Sequence, residues 1–181
     1  MQAEMDSLAQ NNDVWDLVEL PSGKKMVWSK WVFKKKVGAD GKVERFKARL
    51  VAQGFTQKYG DDYDETFCPV MRLESLRTML ALAVQHDLEL HQVDVTTAFL
   101  NGTLEEEVFM KQPEGFIVPG SEKLVYRLKK SIYGLKQSPC CWNLALDLKL
   151  KEIGFSQSSH DPCIYYKKKK RKYADCWCVC R

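Results

Sequence analysis

Apolar residues recur along this chain with two periods, of about 2 and about 3.6 residues, and these periods set out its elements. Residues 4–10 read as a short helix. Residues 15–20 alternate weakly before Pro21-Ser22-Gly23-Lys24 turns the chain. Residues 31–37 read as a strand. Asp40-Gly41 makes a hairpin turn, since glycine accepts a positive φ, and residues 43–52 return as the partner strand. Period two puts Arg45, Lys47, Arg49 and Val51 on one face and Phe46, Ala48, Leu50 and Ala52 on the other, an amphipathic hairpin with a cationic side.

Residues 54–69 form a polar connector containing Asp61, Asp62, Asp64 and Glu65. The spacing then predicts a helix over 73–85, with Leu76, Met79, Leu80, Ala83 and Val84 as its apolar stripe. A strand through Asp94 is expected next, with Gln92 and Asp94 on one face and Val93 and Val95 packed on that helix from the other. Asn101-Gly102 turns the chain, Val108-Phe109-Met110 is a short apolar run, and residues 113–115 are a loop. Residues 124–128 read as a strand and 131–139 as polar and turn-like. Trp142, Ala145, Leu146, Lys149, Leu150 and Ile153 fit a helix that Gly154 ends, and residues 163–166 form a further strand. No repeat or linker stands out. Helices and hairpins mixed around a sheet give an α+β class.

The 181 residues suffice for one domain with a real core. No apolar run is long enough to cross a bilayer. The net charge of +4 says less than its distribution, because residues 24–58 hold 11 Lys/Arg against only Asp40 and Glu44. Such a field suits a polyanion, nucleic acid first, although a basic surface facing solvent has the same composition. Seven cysteines (Cys68, Cys140, Cys141, Cys163, Cys176, Cys178 and Cys180) are odd in number and not spaced as a secreted disulfide scaffold. Residues 1–6 lack the basic head and apolar run of a signal peptide, so an intracellular, reducing location is expected. Cys176-x-Cys178-x-Cys180 could be half of a metal site, but a ligand set needs a second pair or nearby histidines, and His160 is the only one near. His86 and His91 are expected at the surface or in packing.

Asp94 carries the most chemistry. An acidic residue between Val93 and Val95 has a desolvation cost if buried, met by a metal ion, a cation or hydrogen bonds. A metal-bound triphosphate needs oxygen ligands for magnesium, which a strand-end aspartate supplies, and Phe99 five residues on would flank the sugar. A salt bridge or turn cap is the plainer use of a lone aspartate. The cationic hairpin suits triphosphate or template backbone, arginine as a planar fork and lysine as a point charge. In the segment from Ser131 to Pro139, close backbone approach at Gly134 would place a base or template strand against the loop; an ordinary loop and helix start is the plainer alternative.

Five ordered blocks carry a resemblance: Lys30-Trp31-Val32-Phe33-Lys34, the run from Arg45 to Gln57, the run from Tyr63 to Val70, the run from Gln92 to Gly102, and Tyr133-Gly134-Leu135-Lys136-Gln137-Ser138-Pro139. Together they resemble the reverse transcriptase domain of copia-type (Ty1-type) retrotransposon polyproteins, from near Asn11 to about Tyr166. The resemblance implies a right-hand polymerase. Residues 11–166 would be its fingers and part of its palm, an incomplete antiparallel palm sheet with packed helices. It implies that Asp94 is the first metal-binding aspartate, with Mg2+ as cofactor, and that Phe99 screens the sugar 2′ position. Lys47 and Arg49, Arg49 foremost, would contact the incoming triphosphate. Tyr133, Gly134 and Gln137 would lie at the nucleotide, and Ser138 and Pro139 at the template. Template-primer RNA or DNA and deoxynucleoside triphosphates are the implied partners, in the cytoplasm or a virus-like particle. Where relatives have Ala-Pro-Arg before the tryptophan, this chain has Ser138-Pro139-Cys140-Cys141-Trp142, which removes a basic residue and weakens a template contact.

Polymerases of this family carry a later Tyr-Val-Asp-Asp hairpin that completes a two-metal site. The motif is absent, and Asp175 is single. Residues 167–181 are expected to be an out-of-frame tail. The basic run from Lys167 to Lys172 implies an adenine-rich coding stretch. With codons AAA TAT GCT GAT TGT TGG TGT GTA TGT AGA chosen for residues 172–181 and TGA following, the frame starting at the second base reads Asn-Met-Leu-Ile-Val-Gly-Val-Tyr-Val-Asp, then Asp or Glu. The sequence thus reads as a fragment of an RNA-directed DNA polymerase, catalytically incomplete alone. The alternatives are a non-enzymatic nucleic-acid-binding remnant and an unstable pseudogene product, with exposed apolar faces and a sheet edge beyond Tyr166.

Overall fold

A computed structural model describes residues 1–10, 13–169 and 172–178, a mixed α+β fold that divides into two units. The first unit comprises residues 1–66 and 97–142, the second 67–96 and 143–181. In the first, chain order runs α1 (Gln2–Gln10), β1 (Trp15–Val18), β2 (Met26–Val27), β3 (Ser29–Val37), β4 (Val43–Ala52), β5 (Thr103–Lys111) and β6 (Val125–Lys130). One sheet has the order β1-β6-β5-β2, antiparallel except where β2 runs parallel to β5. Its core joins Val108 and Met110 of β5, Tyr126 and Leu128 of β6, Leu50 and Ala52 of β4, Leu8 of α1, and Ile132 and Leu135. Trp15 stacks on Tyr126 with ring centroids 4.4 Å apart.

Strand β5 is longer than its apolar run. Leu104 and Val108 point inward while Glu105 and Glu107 face solvent, so three consecutive acids hide a strand whose inner positions are apolar. Glu107 pairs at the surface with Lys24 at 3.4 Å and Arg127 at 3.3 Å. The register between β5 and β6 shifts between Thr103 and Val108.

Strands β3 and β4 form the expected hairpin, with Trp31 opposite Leu50, Phe33 opposite Ala48 and Lys35 opposite Phe46. Its apolar face is buried only at the root. Leu50 and Ala52 enter the core, whereas Phe33 and Phe46 are 67% and 78% exposed. At that root the backbone meets the loop after β6. The Ala52 N–H donates to the Tyr133 carbonyl (2.8 Å) and the Gly54 N–H to the Gly134 carbonyl (3.2 Å). A Cβ on Gly54 would stand 2.1 Å from the Gly134 oxygen, and one on Gly134, where φ is +95°, 2.1 Å from the Ala52 oxygen. The close approach expected at Gly134 is therefore made by the chain's own strand end, and the space beside its Cα is filled.

The second unit contains α2 (Leu73–Gln85), β7 (Ser156–Gln157), β8 (Ile164–Lys169) and β9 (Lys172–Cys178), with sheet order β7-β8-β9. A third helix, α3 (Ser138–Glu152), starts in the first unit and continues into the second. It begins ahead of the expected Trp142 and ends before Gly154, whose φ is +90°. Helix α2 has the expected bounds, but its buried face is narrower than the predicted stripe. Leu76, Met79 and Ala83 turn inward while Leu80 and Val84 are exposed. The strand expected through Asp94 does not form. Residues 88–95 have no regular secondary structure, and Val93, Asp94 and Val95 are exposed. β-branched neighbours make a strand only where a partner takes up the backbone N–H and C=O groups, and among the described residues none pairs here. Pairing also continues past Tyr166, because β8 runs to Lys169 and β9 joins it antiparallel. Cys180 and the side chains of Cys176 and Cys178 lie outside the described residues.

Asp161, 2% exposed, closes the start of α2 from far along the chain. One carboxylate oxygen accepts the Arg72 N–H at 3.2 Å and the other the Cys163 N–H at 2.9 Å. Burial alone would push this carboxyl up. Hydrogen bonds from Ser75, Cys163 and Arg72, with the Arg72 charge, outweigh burial and hold it below the usual carboxylate range. Nearby, the buried Tyr165 hydroxyl donates to Asp147 at 2.9 Å; burial first, then Asp147, raises its pKa.

Gly54→Ala should destabilise the first unit by about 2 kcal/mol or more, since a methyl inserted against a fixed carbonyl forces the backbones apart; denaturant melts of the two proteins measure this. The depressed Asp161 carboxyl stabilises the fold above the unfolded pKa of about 3.9 and loses that contribution as pH falls through the folded value. Asp161→Asn should therefore melt below wild type at pH 7, with the gap narrowing as pH falls from the unfolded pKa through the depressed folded value. Thermal melts across that range test it, and a gap independent of pH would refute the assignment.

Candidate nucleotide and nucleic-acid site

Three segments distant in sequence meet at Tyr133. Its ring lies 5.1 Å beneath the Arg49 guanidinium and 4.8 Å from the Phe99 ring, edge to face. Arg49 comes from β4. Phe99 sits in the short 3-10 turn Ala98–Asn101, which Ser131 holds by donating its hydroxyl to the Phe99 carbonyl at 2.6 Å. Cation–π and edge-to-face contacts each contribute about 0.5–1 kcal/mol, enough to bias orientation and too little to define the fold. Arg49, Phe99, Tyr133 and Gly134 are thus assembled within the first unit.

The same unit places Lys47 two residues before Arg49 on one hairpin face. Antiparallel register sets Lys34 opposite Lys47 and Lys36 opposite Arg45, so like charges face each other across two rungs. Partial burial, then the charges of Arg49 and Arg45, lower the Lys47 pKa, and Glu4 of α1 opposes them. This is a cation ladder whose self-repulsion an anion would relieve.

Gln137 and Ser138 are buried. The Ser138 hydroxyl donates to the Ile132 carbonyl at 2.5 Å, and Pro139 follows it in the first turn of α3. The Gln137 side chain, 2% exposed, accepts from the Gln57 amide at 3.0 Å and donates to the Asp62 carbonyl at 2.9 Å. Lys136 adds its backbone N–H to the Gln57 side-chain oxygen (2.9 Å). Its ammonium reaches the Gln57 carbonyl (3.1 Å) and the Tyr63 hydroxyl (3.0 Å). The sequence places Gln57 and Tyr63 in family-like blocks and Asp62 in the polar connector, with no role at the site marked for any of them. The signal available was a glutamine in the Gly54-Phe55-Thr56-Gln57 block, and glutamine ordinarily reads as surface. Cys141, in the segment that lacks the expected basic residue, is pushed up to about 11 by burial and then by the Glu106 carboxylate, and remains a thiol at neutral pH.

Asp94 belongs to the second unit and stands exposed. Among the described residues, no three His, Cys, Asp or Glu side chains gather to hold a metal ion. Magnesium takes octahedral oxygen ligation. One exposed carboxylate does not make such a site, so the donor set does not fit the ion.

The model of the family described as reverse transcriptase (RNA-dependent DNA polymerase) matches residues 12–173. The chain belongs to the reverse transcriptase family. The chain is 52% identical over 168 residues to the retrovirus-related Pol polyprotein from transposon TNT 1-94 of Nicotiana tabacum, covering 93% of this chain and 13% of that protein. It is 44% identical over 155 residues to the corresponding polyprotein from transposon RE2 of Arabidopsis thaliana, covering 85% and 11%. It is 32% identical over 144 residues to the transposon Ty1-LR2 Gag-Pol polyprotein of Saccharomyces cerevisiae, covering 78% and 8%. The chain therefore spans about an eighth or less of the length of these polyproteins. No solved structure matches it. Among the described residues, no helix is long and apolar enough to cross a membrane.

Lys47→Glu would replace one like-charge rung with an opposite-charge pair facing Lys34. It should raise hairpin stability by about 0.5 kcal/mol while weakening anion binding. Melting curves at low salt, with and without inorganic triphosphate, read both effects; a variant that melts lower than wild type without anion would contradict the ladder.

Proposed function

We propose that this chain supplies the nucleotide-binding fingers, with part of the palm, of an RNA-directed DNA polymerase. The observation that carries the reading is the convergence of Arg49, Tyr133 and Phe99 beside the cation ladder. Arg49 presents a planar fork to the triphosphate, held by the Tyr133 ring, and Lys47 adds a point charge. Phe99 screens the sugar at the 2′ position and so favours deoxynucleotides. Gly134 and Gln137 shape the floor beneath the nucleotide, and Ser138 and Pro139, opening α3, lie toward the template. Asp94 is the carboxylate that the family assigns to magnesium, and among the described residues it belongs to no cluster of three or more candidate ligands.

Two-metal phosphoryl transfer needs several carboxylates at once. We therefore expect the chain by itself to bind nucleotide and nucleic acid without sustained primer extension. A second reading, a binding remnant that works through the basic surface of residues 24–58, is favoured by the like-charge rungs, which need a polyanion and no catalytic carboxylate. Residues 167–181 are proposed to derive from a shifted reading frame, which genomic sequence across the lysine run would check.

Titration of the purified chain with dTTP, and with a recessed template-primer at several salt concentrations, separates these readings. Arg49→Ala should weaken dTTP binding about tenfold or more, the loss of a charge-assisted contact. Salt-sensitive template-primer binding with no dTTP binding selects the second reading. Processive extension with magnesium that survives Asp94→Asn overturns the carboxylate assignment.

A further inference from the structure

Gln57 has a place in the first unit that its sequence neighbourhood does not suggest. It is 4% exposed, and its whole side-chain amide is engaged. The oxygen takes the Lys136 N–H at 2.9 Å, and the nitrogen donates to the Gln137 oxygen at 3.0 Å. That second bond fixes the rotation of the Gln137 amide, because it leaves the Gln137 nitrogen for the Asp62 carbonyl at 2.9 Å and Glu106 at 3.5 Å. The Lys136 ammonium closes the circuit on the Gln57 carbonyl and lies 4.6 Å from the Tyr63 ring centroid.

The loop from Tyr133 to Gln137 is consequently pinned at both ends. Its early half is held by Ala52 and Gly54, which take the Tyr133 and Gly134 carbonyls. Its late half is held by Gln57, three residues beyond Gly54. Tyr133 rides on this loop and carries Arg49 on one side and Phe99 on the other. Release of the late half takes the partner from the half-buried Lys136 N–H and from the buried Gln137 side-chain oxygen, while the Gln137 nitrogen keeps the Asp62 carbonyl, and this favours movement of the loop.

We propose that Gln57 is a positioning residue of the nucleotide site, acting through the 133–137 loop on Tyr133 and so on the Arg49 guanidinium. The proposal rests on the nucleotide-binding reading above. Gln57 touches no nucleotide; it sets where Arg49 points.

The test uses the full chain, with hydrogen exchange of the Ala52, Gly54 and Lys136 amides and dTTP affinity measured in parallel. In Gln57→Ala, exchange at Lys136 should quicken at least about tenfold and dTTP affinity should fall about tenfold. Combined with Arg49→Ala, the Gln57 change should add less than about twofold, since its effect passes through that arginine. Should Gln57→Ala fail to fold, Gln57→Glu keeps the volume and the acceptor for Lys136 while losing the donor to Gln137. Its Lys136 amide should stay protected and its dTTP affinity should still fall. Unchanged Lys136 exchange in Gln57→Ala, equal dTTP affinity in a wild type and variant that both bind, or full additivity with Arg49→Ala each overturns the proposal. A wild-type chain that binds no dTTP overturns instead the nucleotide reading and the functional half of this proposal. The exchange measurement then still decides whether Gln57 holds the loop.

Discussion

The architecture of the first unit turns on one backbone contact, where the end of β4 meets the loop after β6. Two glycines make it possible, because a single methyl at Gly54 or Gly134 would occupy the volume of a carbonyl oxygen. Each supports a hydrogen bond that the other strand end needs, so the contact is short-range repulsion and polar satisfaction at once. Tyr133 is one residue from that contact and Arg49 three residues from Ala52, and the ring and the guanidinium meet because their backbones are already joined there. The chemistry of the site is thus inherited from packing beneath it.

Elements whose cause is local were legible in the sequence. Asp40-Gly41 turns the hairpin, and the 3.6 period marks out α2. What escaped was governed by partners elsewhere. The Asp94 segment has the composition of a strand and lacks a neighbour to pair with. Strand β5 has a neighbour on each side and is a strand despite Glu105, Glu106 and Glu107. Asp161 caps α2 from 89 residues away, a separation at which no local motif carries information. For the candidate site, residue identity singled out Arg49, Phe99 and Tyr133, whereas burial of the Gln57 amide depends on two hydrogen bonds from Lys136 and Gln137, about 80 positions distant.

Binding and bond-making have different electrostatic requirements, and this chain separates them. Positive charge is concentrated on the hairpin, where phosphate is the complement. On the proposed reading the carboxylate for a metal ion is Asp94, which is exposed and lies in the second unit. The Pol polyproteins matched here are several times longer than this chain.

The exposed outer half of the β3–β4 hairpin has a mechanical consequence. A buried face normally punishes a one-residue slip, because slippage would swap inside for outside. Beyond Ala48 neither face is inside, so alignment there is enforced by the tight turn at one end and the anchored root at the other. The outer rungs are held by the backbone ladder between β3 and β4 and carry like charges that repel one another across Lys34–Lys47 and Lys36–Arg45. Counter-ions dampen this repulsion, so the outer rungs would tighten as ionic strength rises.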